Sequence, residues 1–494
     1  MWTKEQLKTT VKKKLGDRLL VIASNREPYI HTLKEKKVEV IRPVGGAVTA
    51  LDPIMMSCGG VWVAHGSGMA DRKVVDENGR VKVPPEQPKY TLRRIWLSKE
   101  EEDGYYYGFS NRALWPLCHV VYARPTFDAS DWSHYRKVNQ KFAQAILEEI
   151  GEQKAFVWIQ DYHLALVAKF IKEVNPKVTC IHFWHIPWPN PEAFRICPTK
   201  REILEGLLAN DIMGFHIRYQ GENFLNTVEL ELEARIDRER TSVIYGGHET
   251  LVRAFPISVD FEDLSEGAAS GEVDKKMAQL KEEFSLDYDF ILFGMDRIDY
   301  TKGIPEKLRA VRRLLEKYPE YTGRIVFIQM GALSRVHIKR YKELNDEINE
   351  LVEEINWKYS TDAWSPIIFI RRDLSLIEKL AFFRLADLCV VSPLHDGMNL
   401  VSKEYISAKI DLDGVLVLSQ FTGSARELGD VVSVNPYDTE DFTDKLREAL
   451  EMSKEEKSRR MKRLREIVKE NNIYKWAGKN IEELEKIRIK RRRR

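Results

Sequence analysis

The sequence HDGMNLVSKE, residues 395–404, lies between a short apolar run and a helical segment, and the fold prediction starts from it. Residues 388–393, LCVVSP, have the composition of a buried strand that ends at a proline. A helix is predicted from Glu404 onward, so Asp396 and Gly397 are expected on the turn between strand and helix. The unpaired N–H groups of such a helix start bind anions, and Gly397 lets the backbone approach a ligand closely. The stretch predicts a phosphate site, although turns without any function use the same residues.

Apolar runs of this kind alternate with helical segments along most of the chain. Strands are predicted at residues 19–23, 61–63, 156–160, 178–184, 212–215, 290–294, 325–330, 367–370, 388–391 and 415–418. The alternation of strand and helix predicts an α/β fold with parallel sheets covered by helices. Residues 31–42, by contrast, are predicted to be a polar loop.

Length and composition narrow the class of protein. The chain has 494 residues, which indicates two or more domains, and its hydrophobic content of 43% is ordinary for a globular protein. A net charge of +2 gives no indication of nucleic-acid or membrane partners, and no apolar run reaches the roughly 18 residues of a membrane helix. The first 17 residues do not resemble a secretory signal, and the five cysteines form no Cys-x-x-Cys pair. We therefore expect a soluble cytoplasmic protein, and its many Lys, Arg and Glu residues favour a heat-adapted (thermophilic) source.

Polar residues follow several of the predicted strands directly. Arg26 comes after the first strand, Asp161 after the strand at 156–160, and His185 after the strand at 178–184. Open α/β sheets bind their ligands at the carboxyl ends of the strands, which favours a site at these positions. A buried histidine bonded to the backbone is the alternative for His185. The aromatic residues between 105 and 116 are typical of a core, and they would also suit the wall of a sugar site.

Two cations stand on a predicted strand-to-helix loop in the second half. Arg297 and Lys302 are five residues apart, so one can fork onto phosphate oxygens while the other acts as a point charge. With the helix start near Gly397 they would neutralise a diphosphate leaving group, and Glu404 would accept from the hydroxyls of a ribose. Two Rossmann-like halves with this distribution of phosphate groups indicate a glycosyltransferase. For Arg297 alone, an ion pair with a neighbouring aspartate is the competing interpretation.

Seven motifs, spread from residue 19 to about residue 476, give the chain a specific resemblance. They are SNR at 24–26, LWP at 114–116, DYH at 161–163, HIP at 185–187, RIDYTKG at 297–303, DGMNLV at 396–401 followed by KE at 403–404, and VLVLSQF at 415–421. With these motifs the chain resembles the trehalose-6-phosphate synthase family of retaining, UDP-forming glycosyltransferases. The resemblance implies transfer of glucose from UDP-glucose to glucose 6-phosphate, giving trehalose 6-phosphate and UDP.

The resemblance also implies an architecture. The expected fold is of GT-B type, with two Rossmann-like domains whose parallel sheets face a central cleft. Residues 1–254 would form the acceptor-binding domain and residues 255–474 the nucleotide-sugar-binding domain, with a helix at about 475–494 packing back on the first. No cofactor and no metal ion are expected, small molecules would be the partners, and a homodimer or homotetramer is possible.

The roles of individual residues follow from the same resemblance. The catalytic group would comprise Arg297, Lys302, Asp396 and His185. The donor would be bound by Gly46, Arg297, Lys302, Met398, Asn399, Leu400, Val401 and Glu404, and the acceptor by Arg26, Tyr106, Trp115, Asp161 and Arg335.

Two departures from the family pattern lie beside the expected acceptor site. The segment at 27–44 is longer than in the common bacterial members, and HGSG at 65–68 replaces a turn that contains tryptophan. Both leave the acceptor open, so a glucosylglycerol-phosphate synthase that uses glycerol 3-phosphate, or a C–N coupling enzyme of the same family, stays a possible function. A sugar-phosphate sensor without turnover is the alternative from another class, and Lys302, His185 and Asp396 count against it because all three are present.

Overall fold

The structure of the protein is a computed structural model that describes residues 2–35, 37–42, 46–335 and 337–493. The chain forms two compact units, Met1–Ile257 with Ile473–Arg494, and Ser258–Asn472. Unit 1 ends at Ile257, three residues after the predicted end at residue 254. The chain returns to unit 1 at Ile473, two residues before the predicted return at about residue 475. The predicted α/β class with two Rossmann-like parallel sheets is confirmed.

Unit 1 is built around a ten-stranded sheet with the order β10-β11-β12-β9-β8-β7-β1-β4-β6-β5. The neighbours from β12 to β6 in this order pair in parallel, and antiparallel strands flank them on both sides. The strands of unit 1 are β1 (Leu19–Ser24), β2 (Ile30–Lys34), β3 (Lys37–Ile41), β4 (Val61–His65), β5 (Arg80–Val83), β6 (Tyr90–Ile95), β7 (Ala155–Gln160), β8 (Thr179–Phe183), β9 (Ile212–Phe215), β10 (Arg235–Asp237), β11 (Ser242–Tyr245) and β12 (His248–Ala254).

Helices and short helical turns connect these strands. A π-helix spans Asp103–Leu114, and a 3-10 turn spans Tyr162–Leu164. The α-helices of unit 1 before the crossover are α1 (Lys4–Leu15), α2 (Gly46–Cys58), α3 (Asp71–Val74), α4 (Lys99–Glu102), α5 (Trp115–His119), α6 (Ala129–Ile150), α7 (Val167–Val174), α8 (Pro191–Phe194), α9 (Lys200–Leu208) and α10 (Arg218–Glu231).

The prediction of a polar loop at residues 31–42 is wrong. Strands β2 and β3 pair there as an antiparallel hairpin in which Ile30 stands opposite Ile41. Every residue of β3 is exposed, so backbone hydrogen bonds rather than burial define the strand. The alternation of Val38 and Val40 with charged neighbours is the weak signal that could have indicated it.

Unit 2 contains a six-stranded parallel sheet with the order β15-β14-β13-β16-β17-β18. Its strands are β13 (Phe290–Arg297), β14 (Ile325–Ala332), β15 (Ile367–Ile370), β16 (Leu388–Val391), β17 (Val415–Ser419) and β18 (Val432–Val434). Its α-helices are α11 (Phe261–Ala268), α12 (Gly271–Glu283), α13 (Ile304–Lys317), α14 (Lys339–Tyr359), α15 (Leu376–Leu385), α16 (Leu400–Ala408), α17 (Thr439–Leu450) and α18 (Lys454–Glu470).

In each sheet the strand order reverses direction beside the first strand of the unit. In unit 2 the chain moves outward from β13 to β15, and then starts again on the other side of β13 with β16. In unit 1 the same reversal separates β1 from β7, since β4 and β6 lie on one side and β7, β8 and β9 on the other. Loops that leave the sheet at such a reversal diverge to opposite faces, which leaves a crevice at the carboxyl ends of the two strands. Each unit therefore has one position favoured for ligand binding.

The last helix, Ile473–Arg493, belongs to unit 1 although it follows unit 2 in the chain. Trp476 stacks on Trp158 of β7 with the ring centroids 4.8 Å apart, and it contacts the edge of Phe183 of β8 at 5.0 Å. Its indole N–H donates to the carbonyl of Phe255 at 3.0 Å. The aromatic contacts and this hydrogen bond explain why the chain returns to its first sheet.

We predict that Trp476→Ala lowers the free energy of unfolding of unit 1 by about 3–5 kcal/mol, because the side chain is buried against two aromatic rings. Chemical denaturation followed by circular dichroism measures the loss. Lys479→Ala, which removes an exposed side chain paired with Glu482 on the same helix, is the control and is expected to change stability by no more than about 0.5 kcal/mol. Equal stability of the two variants would contradict this account of the helix.

Candidate active site

At the reversal point of unit 2, the loops after β13 and β16 are tied together by their backbones. The N–H of Leu394 donates to the carbonyl of Thr301 at 2.8 Å. Gly303, which precedes α13, has φ 64°, and a Cβ at this position would lie 2.2 Å from the carbonyl oxygen of Ser392. Only glycine permits both this conformation and this approach. The loop that carries Arg297 and Lys302 is thus held against the loop that carries Asp396.

Lys302 and Asp396, two predicted catalytic residues, are in direct contact. The Lys302 Nζ lies 2.5 Å from Asp396 Oδ2, and the Asn399 Nδ2 donates to the same oxygen at 3.2 Å. Both side chains of the ion pair keep some solvent exposure. An ammonium group has three N–H donors, so Lys302 can hold Asp396 and still donate to a ligand.

Helix α16 starts at an unusual backbone conformation. Asn399, rather than Gly397, adopts the left-handed region, with φ 84°, and its side-chain oxygen caps the helix by accepting from the N–H of Ser402 at 3.2 Å. The carbonyl oxygen of Gly397 faces Gly423, where an added Cβ would lie only 2.0 Å from it. The small residue at 423 in the turn after β17 therefore allows the loop to reach this conformation.

The N–H groups of residues 398–401 are available to a ligand. Within the described part of the chain, no hydrogen bond from Met398, Asn399, Leu400 or Val401 through its backbone N–H is present. Four donors at the start of a nine-residue helix, beside the ammonium of Lys302, form an arrangement that favours an anion.

Glu404 lies one turn inside the same helix and is nearly buried. Its Oε1 accepts from Lys379 Nζ on helix α15 at 2.8 Å, in an ion pair with little exposure on either side. Sequence reasoning did not single out Lys379, because a lysine within a helical segment carries no signal of its own.

Arg335, predicted to bind an acceptor, is buried in unit 2. Its Nη1 donates to Asp299 Oδ2 at 3.1 Å and contacts the hydroxyl of Tyr341 at 2.6 Å. Burial raises the pKa of Asp299, but the charges of Arg335, Arg297 and Lys302 outweigh it and hold that pKa below its ordinary value. Arg335 therefore neutralises a buried carboxylate beside the two donor-side cations. Asp296, which precedes Arg297 in the chain, pairs with Lys307 at 2.7 Å.

At the reversal point of unit 1, Arg26 and Gly46 lie near the carboxyl end of the sheet. Arg26 is exposed immediately after β1, and its carbonyl accepts from the hydroxyl of Ser24 at 2.7 Å. Gly46 is the first residue of α2, while the residues that precede it, 43–45, lie outside the described residues.

Asp161, on the other side of the reversal, has a strained backbone. Its φ of 72° and ψ of 170° are rare for any residue with a side chain. The carboxylate Oδ1 accepts from the N–H of Tyr162 at 3.0 Å and from the N–H of His185 at 3.2 Å, which joins the loops after β7 and β8. These bonds hold Asp161 and His185 together at one edge of the sheet, as the sequence predicted for strand ends.

The imidazole of His185 is neutral and has a defined tautomer. Burial, together with the neighbouring His216, His182 and His163, holds the pKa of His185 well below its usual range. Its Nε2 lies 2.8 Å from the side-chain oxygen of Gln160, and an amide oxygen only accepts. Nε2 therefore carries the proton, and Nδ1 is left as an acceptor. Gln160 was not identified from the sequence.

The predicted aromatic residues divide between surface and core. Tyr106, on the π-helix, stacks on His163 with the ring centroids 5.7 Å apart and remains partly exposed. Trp115 is buried and packs 4.1 Å from His119 and 5.8 Å from Tyr162. The segment 105–116 thus supplies both a core and one exposed aromatic face.

No group of three or more His, Cys, Asp or Glu side chains in the described residues has the geometry of a metal site. None of the described helices is both long and apolar enough to cross a bilayer.

The whole architecture has close counterparts among known proteins. The profile of glycosyltransferase family 20 matches residues 17–486. The chain belongs to glycosyltransferase family 20. It is 35% identical over 482 residues to the alpha,alpha-trehalose-phosphate synthase [UDP-forming] of Pichia angusta, which covers 95% of this chain and 99% of that protein. It is 37% identical over 465 residues to the trehalose-6-phosphate synthase of Mycolicibacterium smegmatis, with 92% and 90% covered.

Solved structures agree with this family assignment and confirm the GT-B type of fold. The trehalose-6-phosphate enzyme of E. coli bound with UDP-2-fluoro glucose superimposes with a TM-score of 0.83 at 30% identity, over 94% of this chain and 98% of that one. The UDP-forming alpha,alpha-trehalose-phosphate synthase of Burkholderia xenovorans in complex with glucose-6-phosphate gives 0.85 at 29% identity, over 94% and 100%. This family 20 chain therefore matches its relatives along nearly its whole length.

The buried His182 is expected to make the stability of unit 1 depend on pH. Burial lowers the pKa of His182 to about 3. The unfolded chain binds this proton near pH 6.5 and the folded chain does not, so folding loses stability as the pH falls below about 6.5. Between pH 7 and pH 5 the loss from this one group amounts to about 2 kcal/mol at 1.36 kcal/mol per pH unit.

We expect His182→Gln to remove that part of the pH dependence. Urea unfolding of unit 1 at pH 7 and pH 5 in the wild type and the variant gives the difference, since all other titrating groups are common to both proteins. The same loss of stability between the two pH values in both proteins would contradict a neutral His182 in the folded state.

Proposed function

We propose that this protein transfers glucose from UDP-glucose to glucose 6-phosphate, with retention of configuration, and releases trehalose 6-phosphate and UDP. The observation that carries the proposal is the full-length similarity to trehalose-phosphate synthases, two of whose solved structures hold a UDP-glucose analogue and glucose-6-phosphate. The site geometry adds independent support, because its charges suit a nucleotide diphosphate.

The donor diphosphate would lie at the reversal point of unit 2. Arg297, at the end of β13, and Lys302 supply positive charge, and the N–H groups of residues 398–401 supply donors that need no rearrangement. As the bond to glucose breaks, negative charge develops on the β-phosphate, and fixed donors at this position stabilise it. Glu404 would accept from the ribose, and Asp396 would face the transferred glucose while it orients Lys302.

The sugar groups would be held by hydrogen-bonding residues of unit 1. Asp161 would accept from acceptor hydroxyls, His185 would accept through Nδ1 from the donor glucose, and Arg26 would bind the acceptor phosphate. Gly46 would approach the diphosphate, and Tyr106 and Trp115 would border the acceptor. Arg335 would bind the acceptor phosphate while it stays ion-paired with Asp299.

The reaction requires no carboxylate pair in this proposal. The acceptor hydroxyl attacks on the face from which the diphosphate departs, and the departing phosphate oxygen takes the hydroxyl proton. The protein contributes positioning and neutralisation of charge, each of which can supply several kcal/mol of the barrier reduction.

Four finer points stay predictions. We propose that the enzyme works without a metal ion or cofactor, that it resides in the cytoplasm, that its source is heat-adapted, and that it forms a dimer or a tetramer. Size-exclusion chromatography with light scattering tests the last point, and activity in excess chelator tests the first.

The function is tested by the release of UDP from UDP-glucose with glucose 6-phosphate, with glycerol 3-phosphate, or with no acceptor. We expect release only with glucose 6-phosphate. Release only with glycerol 3-phosphate would overturn the acceptor and retain the donor site. No release with either acceptor, repeated with ADP-glucose and GDP-glucose, would favour a sensor without turnover.

Lys302→Ala and Arg297→Ala are each expected to reduce kcat by at least about 100-fold, because each removes a fixed positive charge that meets the leaving diphosphate. Arg313→Ala is the matched control, since Arg313 lies on α13 in the same unit and forms an exposed ion pair with Glu440. Single-turnover rates with UDP-glucose and glucose 6-phosphate give the comparison. Wild-type rates in folded Lys302→Ala would contradict the diphosphate assignment.

A further inference from the structure

Lys379 and Glu404 occupy corresponding positions on neighbouring helices of unit 2. Lys379 is the fourth residue of α15 and Glu404 the fifth residue of α16. Both helices start at the carboxyl edge of the parallel sheet, after β15 and β16 respectively. The pair therefore lies about one turn below the edge at which Lys302 and the start of α16 meet.

The contacts of this pair leave polar atoms available. Lys379 Nζ donates to Glu404 Oε1 at 2.8 Å. Among the described residues, no other hydrogen bond of Nζ and none of Glu404 Oε2 is present. An ammonium group has three donors and a carboxylate oxygen two acceptor positions, so the pair can still donate to one group and accept from another.

Two other buried lysines of unit 2 have more hydrogen-bonding partners. Lys307 donates to both Asp296 and Gln329, and Lys409 reaches the carbonyl of Arg384 and the carboxylate of Asp411. The Lys379 side chain is only 5% exposed, so water has little access to its remaining donors. Spare donors at such a position cost stability unless a ligand accepts from them.

The charge of Lys379 also defines what Glu404 can do. Its ammonium group occupies Oε1 of the carboxylate, which leaves Oε2 as the acceptor for a hydroxyl. A vicinal diol fits this pair, because one hydroxyl can donate to Oε2 while the oxygen of its neighbour accepts from Nζ.

We propose that Lys379 is a binding residue for the ribose of the nucleotide diphosphate, and that with Glu404 it distinguishes a ribonucleotide from a deoxyribonucleotide. The proposal rests on the proposed function, since it takes Glu404 as the ribose acceptor. What it adds is a direct hydrogen bond from Lys379 to the second ribose hydroxyl. Removal of either ribose hydroxyl would leave one member of the buried pair without its ligand contact.

The test is a calorimetric titration of the full-length protein with UDP, 2′-deoxy-UDP and 3′-deoxy-UDP. We expect the wild type to bind UDP at least about tenfold more tightly than either deoxy analogue, because a charge-assisted hydrogen bond is lost in each. In Lys379→Met the Kd of UDP should rise about tenfold, and the preference over the analogue that lacks the lysine-bound hydroxyl should fall to within about twofold. A variant that keeps the wild-type preference would overturn the proposal.

Lys403→Met is the matched control. Lys403 precedes Glu404 on α16 and forms an equally buried ion pair with Glu427 at 2.6 Å. This variant should lose thermal stability, as Lys379→Met does, and keep the wild-type preference for UDP over both deoxy analogues. The same loss of preference in both variants would assign the effect to general damage of α16 and overturn a specific role for Lys379.

Two further measurements keep the outcome decisive. Should Lys379→Met not fold, Lys379→Leu also removes all three donors, and unchanged discrimination in that variant would overturn the proposal. The titration uses UDP without any acceptor, so a wild type that binds UDP but transfers nothing to glucose 6-phosphate would refute the proposed function while the ribose assignment is still tested.

Discussion

The reversal of strand order in each sheet is the constraint on which the candidate site depends. In unit 2 it separates the chain as it leaves β13 from the chain as it leaves β16, so Arg297 and Asp396 emerge at neighbouring strands although their sequence numbers differ by 99. The hydrogen bond between Leu394 and Thr301 and the close approach at Gly303 then bring the two loops together. The ion pair of Lys302 with Asp396 is a consequence of this topology.

The sequence was sufficient to predict those features that arise from buried apolar runs. The strands that carry Arg26, Asp161, His185 and Arg297 are almost wholly buried, and their alternation with helices left little choice of fold class. The hairpin β2–β3 was missed because its outer strand buries nothing, so the sequence had no reason to alternate strongly. The order of the strands, and therefore the position of the reversal, came from the structure.

Contacts between distant side chains were the part of the site that the sequence did not reveal. Arg335 has the residue type of a phosphate ligand, yet Asp299 and Tyr341 surround it, and no local pattern announces a partner 36 residues away. The partnership of Lys379 with Glu404 is hidden in the same way, since the two residues lie on different helices and are 25 positions apart in the chain. The positive φ of Asn399 was not predicted either, although asparagine tolerates this conformation when its side chain bonds locally.

The two units supply different kinds of electrostatics, and the difference fits the two parts of the proposed reaction. Unit 2 concentrates cations and free N–H groups, which suit a diphosphate whose charge grows as the bond to glucose breaks. Around His185, unit 1 offers imidazoles kept neutral by burial, together with the amide of Gln160 and the carboxylate of Asp161. Because burial keeps these imidazoles neutral, they add no positive charge to the sugar-binding groups that the proposed function assigns to unit 1.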